Sequence, residues 1–168
     1  MTISMYAASV PVVRQQLGSL AGVLSKAASH AAAHKIDPTV LLQSRLYPNM
    51  LPLTKQVQIA TDFSKGTCAR LAGVEPPKFE DNEQSFEALQ ERISNTLAFL
   101  DTLSAEQING SEERDISLSF GTATHQFKGM PYLLHYAMPQ LIFHVTTAYA
   151  ILRHNGVELG KRDFVGSF

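Results

Sequence analysis

Apolar positions recur at three- and four-residue spacing in four long stretches of the chain, and this spacing predicts helices. The stretches cover about 5–35, 50–72, 83–103 and 131–155. The third is the clearest amphipathic helix, with an apolar stripe formed by Phe86, Leu89, Ile93, Leu97 and Leu100. Four such helices in a chain of this length predict an all-α fold, a four-helix bundle in a single domain spanning 1–168.

A weaker, alternating pattern separates the third and fourth helices. Ile116, Leu118 and Phe120 lie on one side of this run, and Gly121 breaks it. Alternation of this kind is typical of strands. Residues 112–129 are therefore expected to form a small β-hairpin or an irregular insert.

Short polar residues and glycines mark the ends of the helices. Asn82 or Asp81 is expected to cap the third helix, because such side chains accept hydrogen bonds from the first backbone N–H groups. The tail 157–168 contains two glycines and is too short for another helix. We expect it to pack across the bundle.

Composition and charge exclude two kinds of partner. The chain has 168 residues, of which 45% are apolar, and its net charge is −1 from 14 basic and 15 acidic residues. It has no long basic run, so nucleic acid is not an expected partner. It also has no run of 18 apolar residues, so no membrane span is expected.

The single cysteine indicates which cellular compartment to expect. Because Cys68 is the one cysteine in the sequence, an intrachain disulfide is impossible, which fits a reducing environment. The N-terminal residues lack the charged start and long apolar core of a secretory signal. A cytoplasmic location is therefore expected.

His144 is the residue that conflicts most with the apolar pattern of the fourth helix. At 100° per residue, Gln140 lies about 40° and Thr147 about 60° from His144 around the helix axis, on the side expected to face the core. A polar group there is costly unless it is satisfied internally. Either His144 bonds to a neighbouring polar group, or it faces a cavity that binds a metal or a ligand.

Three segments carry a resemblance to a known family. They are 45–77, the ED-E residues in 80–83, and 143–166, and they run in order along almost the whole chain. They resemble the bacterial domain-of-unknown-function family 1993, within the DinB/YfiT-like superfamily of inferred metalloenzymes. The resemblance implies a four-helix bundle with three histidine ligands around a divalent metal.

The resemblance also places the ligand positions in this chain. It implies one ligand on the second long helix and two in an H-x-x-x-H pair on the last. His144 matches the second histidine of that pair, but Gln140 stands at the first position, and Gln56 is the best equivalent on the second long helix. A primary amide is a poor ligand for zinc or nickel, so His144 with Gln140 and Gln56 would hold either metal weakly.

Two hypotheses about function follow. In the first, Gln56, Gln140, His144 and Thr147 form a central polar pocket that acts on a small molecule. If that pocket is catalytic, the resemblance implies a degenerate metal-dependent hydrolase or transferase. In the second, the bundle is not catalytic and serves as a ligand-binding protein or a dimeric scaffold. A homodimer is expected in both, from the resemblance and because two-fold pairs are the commonest oligomers.

Other candidate residues have ordinary structural explanations. His30 and His34 share a helix face, but they lie at a helix end where cationic side chains are favoured, so a solvated pair is expected. Asp62 and Lys65 are expected to form a surface ion pair. Cys68 has no neighbouring base in the sequence and is expected to be a buried structural thiol.

Overall fold

Helices form most of the structure, and one antiparallel hairpin interrupts them. The computed structural model describes residues 3–167, apart from the side chain of Phe120. In chain order the helices are α1 (Met5–His34), α2 (Pro38–Leu42), α3 (Leu53–Ala72), α4 (Phe86–Leu100), α5 (Ala105–Ile108), α6 (Gly129–Pro131), α7 (Met138–His154) and α8 (Lys161–Val165). The hairpin consists of β1 (Asp115–Phe120) and β2 (Ala123–Lys128), and a π-helical segment, Tyr132–Ala137, joins α6 to α7.

The long helices α1, α3, α4 and α7 surround the core. Both α1 and α3 contact α4 and α7. Each long helix contributes fully buried apolar side chains, among them Leu17, Val57, Leu89 and Ala148. Most of the apolar positions that predicted these helices are therefore buried. The prediction of a mainly helical fold with a small β insert is confirmed. No helix within residues 3–167 has both the length and the apolar character needed to cross a bilayer.

The hairpin lies within the predicted insert. Ile116 pairs with Phe127, and the side chains of Ile116 and Leu118 are buried, as the alternation predicted. The turn between the strands begins at Gly121, whose φ is 58°. A positive φ of this kind is strained for residues with a Cβ atom, so glycine suits the turn.

The start of α4 differs from the prediction. Ser85, rather than Asn82 or Asp81, is the cap, and its hydroxyl accepts a hydrogen bond from the Ala88 N–H at 3.1 Å. The helix begins three residues later than expected, because the acidic residues before it are used elsewhere. Asp81 forms ion pairs with Lys55 and Arg92.

The fourth predicted helix is not a regular α-helix throughout. The segment Tyr132–Ala137 is π-helical, and Pro139 follows at the start of α7. Proline has no N–H to donate to the carbonyl four residues earlier and clashes with it, which disturbs the helical ladder at this point. Gln140 and His144 both lie beyond the disturbance in regular α-helix, so the angular relation assumed between them holds.

The prediction that the tail has no helix is wrong, because α8 forms there. The prediction that the tail packs on the long helices is confirmed at α1. The Gln15 amide donates to the Val165 carbonyl at 2.9 Å, and Lys26 forms an ion pair with Asp163 at 2.6 Å. Five residues are too few for an isolated helix to be stable, so these contacts hold α8 in place.

Candidate functional site

A buried hydrogen bond joins the two long helices α3 and α7. His144 on α7 is 8% exposed and Gln56 on α3 is 2% exposed. The Nδ1 atom of His144 lies 2.7 Å from the Oε1 atom of Gln56. The structure therefore brings together two of the residues that the sequence had placed in a polar pocket.

The contacts of Gln56 decide which nitrogen of His144 carries the proton. The Gln56 amide nitrogen donates to the Leu51 carbonyl at 3.0 Å, which orients the amide. The amide oxygen then faces Nδ1, and an oxygen only accepts. Nδ1 therefore donates its N–H to Gln56, and in the neutral imidazole Nε2 is an acceptor.

Aromatic rings enclose His144 and favour its neutral form. The Phe63 ring stacks on the imidazole with centroids 6.1 Å apart, and the Phe143 ring meets it edge-on at 5.1 Å. Burial lowers the pKa of His144 below its ordinary value. A neutral imidazole with an acceptor nitrogen is the form that this environment supports at neutral pH.

Gln140 and Thr147 do not join this hydrogen bond. The Thr147 hydroxyl is buried but donates to the Phe143 carbonyl of its own helix at 2.7 Å. The Gln140 side chain is half-buried, and it makes no hydrogen bond with any residue in the described part of the chain. Of the four residues expected to form a polar pocket, Gln56 and His144 are therefore the two whose side chains bond to one another.

The residues at this site do not suit a transition metal ion. His144 is the one imidazole in the pair, and the Gln56 oxygen already accepts its N–H. Within residues 3–167, no three His, Cys, Asp or Glu side chains are grouped so that they could hold a metal ion. One imidazole and two amides are a weak donor set for zinc or nickel.

The other candidate residues take structural positions. His30 and His34 pack ring against ring with centroids 4.2 Å apart, and His34 Nδ1 contacts the His30 carbonyl on its own helix. Cys68 is fully buried, and burial raises its pKa to about 12. A thiol with that pKa stays protonated at neutral pH and is a poor nucleophile.

A second polar cluster, which the sequence did not reveal, surrounds Arg92. Arg92 is 3% exposed, and its guanidinium contacts Asp62 at 2.8 Å, Glu83 at 2.8 Å and Asp81 at 3.2 Å. Lys65 also contacts Asp62, at 2.9 Å. The expected Asp62–Lys65 pair is present, but the expectation of an ordinary surface pair is wrong, because Lys65 is buried and Arg92 shares its carboxylate.

Glu83 is the most buried carboxylate of this cluster. Its Oε2 atom accepts a hydrogen bond of 2.6 Å from Gln58, and its Oε1 atom accepts one of 2.8 Å from Arg92. Burial alone would raise the pKa of Glu83, but these hydrogen bonds outweigh it and hold the pKa below its ordinary value. The Arg92 cluster thus ties the segment between α3 and α4 to both helices.

Comparison with solved structures identifies the class of protein. A DinB family member from Shewanella denitrificans has a similar fold, with a TM-score of 0.88 and 37% sequence identity over 97% of this chain and 92% of that one. The model of the domain-of-unknown-function family DUF1993 matches residues 5–165. The chain therefore belongs to the DUF1993 family and has a DinB-like fold. A search of curated proteins gave no match.

Proposed function

We propose that this protein is a DinB-like four-helix bundle that binds a small molecule at the Gln56–His144 site without a metal ion and without catalysing a reaction on it. The observation that carries the proposal is the 2.7 Å hydrogen bond between His144 Nδ1 and Gln56 Oε1. Histidines are implied at both positions in DinB-like metal sites. In this chain Gln56 supplies the hydrogen-bond acceptor for the N–H group of His144.

The hydrogen bonds of Gln56 argue against a shared role in metal binding. A metal ion would have to take the Gln56 oxygen from His144, and the buried Nδ1–H group of His144 would then lose its acceptor. Burying a polar group without a partner costs about 1–3 kcal/mol. A neutral amide oxygen gives little in return, because zinc and nickel prefer imidazole and thiolate ligands.

The same geometry leaves the Nε2 atom of His144 available to accept a hydrogen bond from a ligand. Nε2 is an acceptor in this tautomer, and no hydrogen bond to it forms within residues 3–167. The surroundings are apolar: Phe143 is 54% exposed beside the imidazole, and Leu51, whose carbonyl holds Gln56, is 44% exposed. A small molecule with one N–H or O–H donor and an apolar body fits these features.

Metal analysis tests the absence of a metal centre. Untagged wild-type protein is expected to retain substoichiometric zinc and nickel after dialysis. The double variant Gln56→His/Gln140→His restores three imidazoles and is expected to take up about one equivalent of zinc. Gln126→His, which adds an imidazole on the exposed face of β2, is the control and should bind no more zinc than wild type. Stoichiometric metal in the wild-type protein would overturn the proposal.

A ligand screen tests the binding role. Small molecules that carry one donor and an apolar body are screened by thermal shift against wild type and against His144→Gln. Compounds that stabilise wild type are expected to lose their effect in His144→Gln, which removes the imidazole acceptor. Compounds that stabilise both proteins equally would place binding elsewhere, and turnover of a compound by wild type alone would show that the site is catalytic.

Exposed apolar side chains between residues 129 and 154 support a homodimer. Four large apolar side chains between residues 129 and 154 are exposed by 44–54%: Met130, Leu134, Ile142 and Phe143. Exposed apolar groups on one helical segment are a feature of protein interfaces. A second copy of the chain, related by a two-fold axis, would cover the same residues on both partners.

A further inference from the structure

A small cleft next to the Gln56–His144 pair has a different chemical character. It has a volume of about 160 Å³ and is lined by Asp62, Phe63, Arg70, Leu118 and Tyr136. These residues come from α3, β1 and the π-helical segment. Its lining combines apolar and charged side chains, so the cleft can hold a small molecule that carries a charge.

Arg70 gives the cleft a positive charge that the protein leaves unpaired. Its Nη1 atom donates to the Tyr132 hydroxyl at 3.2 Å, which uses one of five guanidinium N–H groups. In the described part of the chain, no carboxylate lies within ion-pair distance of Arg70. Asp62, the carboxylate of the same cleft, is already paired with Arg92 and Lys65.

Gly66 leaves room for the Arg70 guanidinium against the surface of α3. A Cβ atom at this glycine would lie 2.5 Å from Nη1 of Arg70, closer than two such atoms can approach. The two residues are four apart on one helix face, where side chains meet. The absence of a side chain at Gly66 therefore lets the planar guanidinium lie against the helix, beside the cleft.

Two aromatic rings form the apolar part of the cleft. The Phe63 and Tyr136 rings have centroids 5.9 Å apart and are inclined at 59°. Leu118 is buried on β1 and adds an aliphatic wall. A cavity of about 150 Å³ with apolar walls holds a molecule the size of benzene, so a single six-membered ring matches the volume.

We propose that this cleft binds a small monocarboxylate with a flat apolar body, its carboxylate on Arg70 and its ring against the side chains of Phe63 and Tyr136. The planar fork of a guanidinium matches a carboxylate with two parallel hydrogen bonds. Phosphate fits less well, because one guanidinium cannot balance two negative charges and Asp62 lines the same space. The cleft shares Phe63 with the Gln56–His144 site, but the proposal does not depend on the function of that site.

Calorimetry with benzoate tests the proposal. Benzoate is titrated into the intact wild-type protein, with benzamide as the neutral compound of the same shape and inorganic phosphate as the competing anion. We expect benzoate to bind, and benzamide and phosphate to bind at least about tenfold more weakly, as the loss of a charge-assisted pair implies. Benzoate that does not bind, or binds no better than benzamide or phosphate, would overturn the proposal.

Three variants assign the binding to Arg70. Arg70→Lys keeps the charge but removes the fork, and we expect benzoate to bind about tenfold more weakly. Gly66→Ala keeps Arg70 but displaces its guanidinium, and should also weaken binding. It keeps the fold, because alanine favours a helix more than glycine. Arg153→Ala removes an exposed arginine of α7 and should bind as wild type does. Equal benzoate affinity in Arg70→Lys and wild type would refute the assignment.

Discussion

Arg92 and Glu83 form an ion pair at 2.8 Å in which the side chains are 2% and 8% exposed. The pair joins α4 to the segment that precedes it, and the same guanidinium contacts Asp62 on α3. A buried charge pair is weak evidence of stabilisation in itself. Removing one partner is nevertheless costly, because the other is left buried and uncompensated.

Arg92→Met should therefore destabilise the protein strongly. We expect a loss of about 3 kcal/mol in the free energy of unfolding, at the lower end for broken buried pairs because Asp62 and Asp81 can still reach water. Urea unfolding followed by circular dichroism gives this quantity. Arg153→Met, at an exposed position, is the control and should change it by less than about 0.5 kcal/mol. An equal effect of the two substitutions would show that the cluster does not stabilise the fold.

The sequence could not reveal the Arg92 cluster, for a physical reason. Two of the carboxylates that contact Arg92, those of Asp81 and Glu83, lie in the segment between α3 and α4. This segment has no helical or strand period that would fix where its side chains point. Asp81 looked like a helix cap, because short acidic residues are favoured at helix starts. Its actual partners, Lys55 and Arg92, are 26 and 11 residues away, and only the folded chain brings them together.

The Gln56–His144 contact, in contrast, could be predicted. The helical period placed His144 on the core side of its helix, and the family resemblance placed Gln56 opposite it. The same reasoning expected Gln140 to take part, because it lies about 40° from His144 around the helix. An angle about the axis does not fix how far a long amide reaches, and the Gln140 side chain stays half-buried without joining the pair.

Removal of the imidazole should destabilise the fold. His144→Ala leaves the Gln56 oxygen buried without its donor, and we expect a loss of about 1–3 kcal/mol in the free energy of unfolding. Gln140→Ala is the matched control on the same helix and should cost less, because its side chain makes no hydrogen bond with residues 3–167. Equal losses from the two substitutions, measured by urea unfolding, would contradict the importance of the pair.

The protein should also become less stable as the pH is lowered, because His144 is buried. Burial lowers the folded-state pKa of His144 below the ordinary value of 6.5. As the pH falls below 6.5, the unfolded chain binds a proton at this residue before the folded chain does. The unfolded state is therefore stabilised relative to the folded state, and the free energy of unfolding decreases. The decrease ends once the pH passes below the folded-state pKa.

A comparison of two variants isolates this contribution. Unfolding free energies are measured between about pH 7.5 and pH 5.5, the range in which an ordinary histidine titrates. His144→Gln should show a smaller decrease than wild type over this range. Gln140→Ala, which removes a side chain without a charge from the same helix, should keep the wild-type decrease. If the free energy of unfolding of His144→Gln decreased as much as that of wild type, His144 would titrate alike in the folded and unfolded states.

The proposed homodimer predicts the mass of the protein in solution. Light scattering at micromolar concentration should give twice the mass of one chain. A charge at either Leu134 or Ile142, which are 48% and 44% exposed, should shift the protein toward monomer, because a buried unpaired charge opposes association. Val40→Glu, at a 58% exposed position on α2, should remain dimeric. A monomer mass for wild type would refute the dimer.

Replacement of two glycines by alanine should change the free energy of unfolding in opposite directions. A Cβ atom at Gly129 would clash with the Ser111 carbonyl oxygen, and this contact involves backbone that cannot rotate away. The Met130 N–H also bonds to the Glu112 carbonyl at 3.0 Å, so the two segments are held together. Gly129→Ala should separate them and cost about 1–3 kcal/mol in the free energy of unfolding, as overpacking does.

Gly18 in the middle of α1 is the matched case. A Cβ atom there would meet no other atom within 4 Å, and alanine restricts the unfolded chain more than glycine does. Gly18→Ala should therefore raise the free energy of unfolding by about 0.5–1 kcal/mol. Urea unfolding of the two variants beside wild type gives both signs. Stabilisation by Gly129→Ala would show that Ser111 and the start of α6 are not packed as closely as this contact requires.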